Sequence, residues 1–448
     1  MTLYLRSEES PDERQDVKAQ QSQGIWTYLP KALETSETDP NLTGPEPEFD
    51  FAVKANIEVA AMPASAGSPV FSDYFPDIDS PVVAILKRHG GQVAGLTNMH
   101  ELAFGMTSDN ATFGPVRNPF DHLRSAGGSS GGSAACVAAG LVPLSLGTDT
   151  GGSISIPASV CGVVGFRPST GRWPTAGTIG LSWTRDTIGV HAKSVEHVAM
   201  VDTWISHNSA SSDMSAPSTD KPILGIPTAF TKDLDPAVAS RFAEVRQLLS
   251  AHLRILDIDL DEVIAATDSA QWDIVGYEAP RCLSTALATA EDIAPTEAWK
   301  YVVSRAASPD VRNILESYDN NPVDDESYTR AIRTADAAHQ RYCEILDAAG
   351  IDALIFPSLP ALPALLRDDD LVMHRGTLVP LFPLFTRHVG PGTVMGVPSV
   401  SLPAGLVDAG GGVPLLPVGV NVQGFAHRDS ELLTIASQLE TLLEQAFS

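Results

Sequence analysis

Residues 127–153 read GGSSGGSAACVAAGLVPLSLGTDTGGS, and the order of textures within this stretch decides the fold. The glycine turn at 127–132 opens onto small residues from Ser133 onward, which read as a closely packed helix. The apolar run at 141–146 is bounded by glycine and reads as a buried strand, ending in a second glycine turn at 147–153. Turn, helix, strand and turn in succession predict an α/β protein built on a sheet.

Working outward, 51–53, 93–96 and 161–166 predict strands, with a helix over 81–89. Further along, 222–227, 352–356, 397–402 and 418–422 are strand-like, and no internal repeat is evident. Residues 236–350 carry mostly helical periodicity and are expected to form a helical subdomain. The main domain is expected over 49–448, preceded by a polar leader, 1–48, packed outside it. The stretch 207–221, rich in Ser, Asp, Thr and Pro, predicts a surface connection. The proline-rich stretch 357–383 predicts a long irregular segment bordering a binding site.

At 448 residues the chain suits one or two domains, and 43% hydrophobic content with 35 Gly and 33 Pro fits a globular protein rich in turns. Lys and Arg number 29 against 55 Asp and Glu, a formal charge of −26, which argues against nucleic acid and anionic membrane surfaces as partners. Cys136, Cys161, Cys282 and Cys343 have neither CxxC nor Cys/His zinc spacing, so they read as buried thiols and no metal is expected. The first residues lack the apolar core of a secretory signal, and no apolar run is long enough to span a bilayer. A cytoplasmic location follows as an expectation, and the sequon Asn110-Ala111-Thr112 is then expected to be idle.

Chemistry concentrates in the two glycine turns. A glycine turn at a helix start presents free N–H groups suited to an anion. A phosphate loop, however, needs Lys-Ser/Thr where Ser133-Ala134 stand, and the GxSxG reading of Gly127–Gly131 needs a preceding strand where PVRNPFDHLRS is polar and turn-rich. The second turn, Gly147-Thr148-Asp149-Thr150-Gly151-Gly152-Ser153, follows the apolar run and places Ser153 as a better nucleophile. Backbone N–H groups of Thr150, Gly151, Gly152 and Ser153 are the expected oxyanion hole. Lys54, after the apolar run 51–53, is the expected proton acceptor, since a buried amine loses its charge more readily. Ser130 and Asp149 either support this array or merely stabilise the turns.

These features, a lysine near the start, a GGSSGG loop and a GTDTGGS turn in that order, resemble the amidase signature family. The resemblance runs from about Phe49 to Leu442 and implies a single large mixed β-sheet with helices on both faces. It implies a Ser153 nucleophile, a bridging Ser129 preceded by a cis peptide, and a proton-relaying Lys54, with no cofactor. NMHELAFGMTSDNATFGPVRNP, GVVGFRPSTGRWP and TRDT are most similar to indoleacetamide and mandelamide hydrolases, whose substrates are neutral aromatic amides. Where the family commonly has an arginine, two residues after the nucleophile, this chain has Ser155. A missing positive charge argues against substrates held by a carboxylate and brings in carbamates and bulky anilides.

His100, His122 and His191 are read as structural, because a Ser-Ser-Lys array needs no histidine. Met99, Phe104, Met106 and Trp183 flank the motifs and are the expected apolar pocket wall. The expected partner is a small amide or carbamate, with homo-oligomerisation open. The alternative is a subunit of an amidotransferase assembly, or a non-catalytic binding module.

Overall fold

In a computed structural model, which describes residues 24–30, 48–206, 221–367 and 371–447, the predicted strands close into one mixed sheet. The strands are β1 (Trp26–Tyr28), β2 (Phe49–Lys54), β3 (Gly91–Thr97), β4 (Leu144–Asp149), β5 (Val164–Arg167), β6 (Thr187–Ala192), β7 (Ile223–Pro227), β8 (Arg254–Ile258), β9 (Ala353–Pro357), β10 (Leu371–His374), β11 (Thr377–Pro380), β12 (Ser399–Val407) and β13 (Leu416–Gln423). Eleven of them form the large sheet, in the order β1-β3-β2-β4-β6-β5-β12-β13-β9-β7-β8, and β10 pairs with β11 separately.

Alternation along β2 shows why both faces are covered. Phe51 and Val53 point into one apolar cluster, while Ala52 points into another. The first cluster is capped by helices α1 (Pro81–Arg88), α4 (Val195–Ser206) and α12 (Asp429–Phe447), through Val82, Val198 and Leu439 among others. The second is capped by α2 (Gly131–Ala138) and α3 (Ser155–Cys161), through Ala134, Ala135 and Ala158. With both faces packed, every residue of β4 is buried, as a central strand requires. The remaining helices are α5 (Pro236–Ser250), α6 (Asp261–Glu291), α7 (Pro295–Arg305), α8 (Pro309–Asn320), α9 (Asp325–Ala349), α10 (Leu381–Thr386) and α11 (Gly390–Val394).

The site follows from register. β2 and β4 run parallel, with Val53 opposite Leu146, so Lys54 and the turn after Asp149 emerge at the same end of the sheet.

The structure departs from the sequence reading in five places. The strand expected over 161–166 begins only at Val164, because Cys161 ends α3 and Gly162 caps it in the left-handed conformation. Within 1–48, Trp26–Tyr28 is not outside the body but the sheet's edge strand, antiparallel to β3; residues 1–23 and 31–47 lie outside the described residues. Inside the helical stretch 236–350, β8 pairs in parallel with β7. The 357–383 segment holds the hairpin β10–β11. β4 starts after Pro143 and runs on through Gly147 and Thr148, because its antiparallel ladder with β6 continues to Asp149 opposite Thr187. The connection expected at 207–221 lies outside the described residues up to 220. Among the described residues no helix is long and apolar enough to cross a membrane.

Candidate active site

Gly147, in the middle of β4, is where the two glycine turns meet. A Cβ there would stand 3.0 Å from Ser130 Oγ and 2.8 Å from Ile154 Cδ1, so the absent side chain lets both loops settle on one strand. Close packing explains the other glycines too: a Cβ on Gly132 would lie 2.4 Å from the Asn98 carbonyl oxygen. Gly152 adopts φ +115°, and a Cβ on it would lie 2.4 Å from Val389 Cγ2, so the turn before Ser153 accepts only glycine.

Lys54 is fully buried, and its Nζ lies 2.8 Å from Ser129 Oγ, 2.9 Å from Ser130 Oγ and 2.8 Å from Thr148 Oγ1. The neighbours place one proton of this cluster. Ser130 Oγ donates to the Thr148 carbonyl at 3.0 Å, so it faces Lys54 as an acceptor. Thr148 Oγ1 also receives Asn56 Nδ2 at 3.2 Å. A neutral amine keeps two N–H groups and turns its lone pair to the Ser129 or the Thr148 hydroxyl, whose protons no other acceptor takes among the described residues. Burial pushes the Lys54 amine down from its usual 10.5 to about 7, against the opposing pull of Asp149 and Asp186.

The peptide Gly128–Ser129 is cis. The Ser129 carbonyl accepts from the His100 N–H at 3.0 Å and from Ser108 Oγ at 3.2 Å, which fixes the loop from its back. Ser153 follows β4, just ahead of α3, with 4% of its surface exposed and no side-chain hydrogen bond among the described residues.

Asp149 organises the second turn. Its carboxylate accepts from the Gly152 N–H at 2.9 Å and the Ile154 N–H at 2.7 Å, and pairs with buried Arg167 at 3.0 Å. Gly152's amide is thereby engaged, whereas those of Thr150, Gly151 and Ser153 meet no acceptor among the described residues. Of the four expected oxyanion donors, three are free to point at a carbonyl oxygen.

The positive charge expected to be missing at Ser155 is present from elsewhere. Ser155 itself is buried, 3.5 Å from both Ser399 Oγ and Asn421 Oδ1. Arg185, fully buried, donates to the Gln271 carbonyl at 3.2 Å and to Thr393 Oγ1 at 2.9 Å, and its Nη2 lies 3.7 Å from where a Cβ on Gly151 would be. Burial lowers it to about 10. Next to it, Asp186 accepts from Thr150 Oγ1 at 2.5 Å, and burial raises its carboxyl. Arg185, Arg167 and Asp186 escaped the sequence reading as site residues; the motifs TRDT, residues 184–187, and GVVGFRPSTGRWP, residues 162–174, were their only local signals.

The side chains of His191 and His100 are bonded to groups other than Ser153. His191 is buried on β6, its Nε2 3.1 Å from the Ile154 carbonyl, and burial lowers it to about 4, so it is a neutral donor holding the turn. His100 Nε2 lies 2.7 Å from Asp310. His122 lies in the 117–125 loop, where its carbonyl accepts from Arg117. Met99, Phe104 and Met106 are each packed in a different apolar cluster of the core, while Trp183, 52% exposed, lines a cavity. Asn110 is buried with its Nδ2 bonded to the Gly67 and Met99 carbonyls, which closes the sequon to modification. Cys136 and Cys161 are buried free thiols, but Cys282 and Cys343 are partly exposed, contrary to the expectation that all four are buried.

A family model described as Amidase matches residues 38–433. The chain is 35% identical over 400 residues to an indoleacetamide hydrolase of Agrobacterium vitis, covering 86% of this chain and 82% of that one. It is 33% identical over 413 residues to a mandelamide hydrolase of Pseudomonas putida, covering 88% and 78%. A crystal structure of an amidase superposes with a TM-score of 0.80 at 29% identity, covering 98% of this chain and 95% of that one. A sheet that sets a buried, lysine-bonded serine loop against a glycine turn ending in serine thus occurs here in a chain that belongs to the amidase family.

Proposed function

We propose that this amidase-family hydrolase acts alone, in the cytoplasm, on neutral amides, anilides or carbamates through an acyl-enzyme on Ser153. The observation that carries the reading is Lys54: buried, lowered to about 7, and 2.8 Å from Ser129 Oγ. Ser129 passes its proton to Lys54 while taking one from Ser153, whose oxygen attacks the substrate carbonyl. The N–H groups of Thr150, Gly151 and Ser153 receive the developing oxyanion. When the tetrahedral intermediate collapses, Ser129 returns a proton to the leaving amine and recovers one from Lys54. Water then repeats the path, releasing a carboxylic acid or, from a carbamate, a product that loses carbon dioxide.

Buried Arg185 and Arg167 are matched by Asp149 and Asp186, which supports uncharged substrates more firmly than the absence of an arginine at position 155 does. The test is hydrolysis of matched p-nitroanilide and p-nitrophenyl carbamate substrates by the purified chain. Turnover without partners supports the reading and its rates rank amide against carbamate. Activity that appears only with added partner chains points instead to a subunit of a larger assembly.

A further inference from the structure

The loop that carries Ser129 is backed by a layer of chain, residues 105–108, lying between the His100 ring and the Gly128–Ser129 peptide. A Cβ on Gly105 would collide with the ring, and one on Gly128 would stand 2.9 Å from the backbone nitrogens of Thr107 and Ser108, so the three pieces are stacked without a gap. Ser108 Oγ donates to the Ser129 carbonyl at 3.2 Å and accepts the Gly131 N–H at 3.0 Å, which fixes the loop on both sides of the serine. His100 adds its own N–H to the same carbonyl. The position of this one residue is therefore passed to Ser129 twice, through the layer and through its amide.

His100 is in turn held by a charge from another part of the chain. Only 2% exposed, its ring sets Nε2 2.7 Å from Asp310 Oδ2 in the first turn of α8 and Nδ1 3.3 Å from Thr107 Oγ1. Burial raises the Asp310 carboxyl, but the bond to His100 and the amides of α8 outweigh it and bring it below the usual carboxylate value. It is ionised at neutral pH and can only accept, so Nε2 is the donor.

Glu101, fully buried, secures the same helix start: its carboxylate accepts from the Ala307 and Ser308 N–H groups and from Ser68 Oγ at 2.6 Å. Just after it, Leu102 and Ala103 take φ of +50° and +62°, left-handed conformations that non-glycine residues keep only where surrounding contacts hold them. Capping of α8 accounts for Glu101. It does not account for Asp310, whose carboxylate points away to the one ring that backs the Ser129 loop. We propose that Asp310 and His100 are positioning residues for the proton relay, holding the Ser129 hydroxyl in line between Lys54 and Ser153 through residues 105–108 and the Ser129 carbonyl. The proposal rests on the assignment of Ser129 as the bridging serine made above. Neither side chain bonds Lys54, Ser129 Oγ or Ser153, so loosening them slows the chemistry without weakening substrate binding.

Steady-state kinetics of Asp310→Ala, Asp310→Asn and Ser129→Ala on one p-nitroanilide test it. Asp310→Ala is expected to lower kcat by roughly 10–100-fold, the cost of a slightly misplaced catalytic group, with KM unchanged. Asp310→Asn, whose side-chain oxygen still accepts from Nε2, is expected to recover kcat to within about threefold of the wild type, the remainder being the lost charge assistance. A role confined to capping α8 would lower stability towards urea and leave kcat of the folded variant alone. Unchanged kcat in Asp310→Ala, a loss that falls on KM instead, or no recovery in Asp310→Asn overturns the proposal. If Asp310→Ala does not fold, Thr107→Val, which removes the bond to Nδ1, takes its place: a lower kcat at unchanged KM supports the proposal, and an unchanged kcat overturns it. Collapse of Ser129→Ala beside normal turnover in Asp310→Ala means that the positioning role alone has failed. Wild-type turnover in Ser129→Ala means that the relay reading has failed and the positioning role with it.

Discussion

Replacing Lys54 by arginine keeps a long cationic side chain but removes a deprotonatable base, since guanidinium stays charged throughout the accessible pH range. With the amine at about 7, half of the molecules carry a neutral lysine at pH 7, against roughly one in 3,000 for an unshifted lysine. The wild-type kcat/KM is therefore expected to rise with pH through about 7 and level off about one to two units above it. Lys54→Arg is expected to lose roughly 10²–10⁴ in kcat/KM, the usual worth of a positioned base, and to lose the inflection with it. The assay is hydrolysis of a p-nitroanilide between pH 5 and 10, roughly the range over which a lysine lowered to near 7 changes state. A flat wild-type profile, an inflection near the ordinary lysine value, or the same inflection surviving in Lys54→Arg refutes the argument. Stability gives an independent check of sign. The amine's folded value lies below its unfolded one, so the unfolded chain binds more protons between about 7 and 10.5. The burial penalty is absent above 10.5, grows as pH falls, and is complete below about 7. Urea denaturation of Lys54→Met should show its stability relative to wild type improving by a few kcal/mol as pH falls through that window, on the order expected for a buried amine.

Ser153→Ala is expected to lower turnover by about 10⁴-fold or more, with Ser129→Ala also crippling and His191→Ala mainly lowering stability. Retained turnover in Ser153→Ala would instead move the nucleophile to Ser129. Arg185→Met should lower kcat by about 10–100-fold while changing KM little, because it loosens the anchor between Gly151 and α11 rather than a substrate contact; a pure KM effect argues against this. Asp149→Asn is expected to cost about 3–5 kcal/mol in urea denaturation by leaving Arg167 buried without its ion pair. It should also move the kcat/KM inflection to lower pH, since Asp149 favours the charged form of Lys54. Trp183→Ala should change the ranking of anilides; a uniform loss across all of them argues against a pocket role.

The glycine turns were legible because their information is local. Short runs of Gly, Ser and Asp specify backbone that other residues cannot adopt, as the φ of Gly152 shows. Lys54 was legible for a similar reason, at the end of an apolar strand. What escaped depends on contacts distant in sequence. Arg185 meets Thr393 and Gln271 on separate helices, and nothing near residue 185 announces either. β1 is three residues in a polar segment, and β8, RILDI, sits between long helices where its alternation is too short to stand out. Apolar residues were read least well. Met99 and Met106 have the chemistry of a pocket wall and of a core alike, and only packing tells which, here the core.

The turn and the base are held by the same carboxylate. Burial alone drives the Lys54 amine downward, and a base weakened too far would not take a serine proton; Asp149 and Asp186 oppose that drift and hold the amine near 7. Asp149 keeps its place because Arg167 and two backbone amides bind it, and one of those amides, Gly152's, is drawn out of the oxyanion set. That leaves Thr150, Gly151 and Ser153 free, so in the proposed mechanism the bond that tunes the base also selects the donors for the oxyanion. Arg167 in turn donates to the Arg185 carbonyl and to Thr170, tying this carboxylate to the 184–187 segment that borders the cavity. In that mechanism a change at Asp149 reaches base strength, oxyanion geometry and the cavity wall together. Activity measured at one pH mixes the three, whereas the position of the pH inflection reports the base alone.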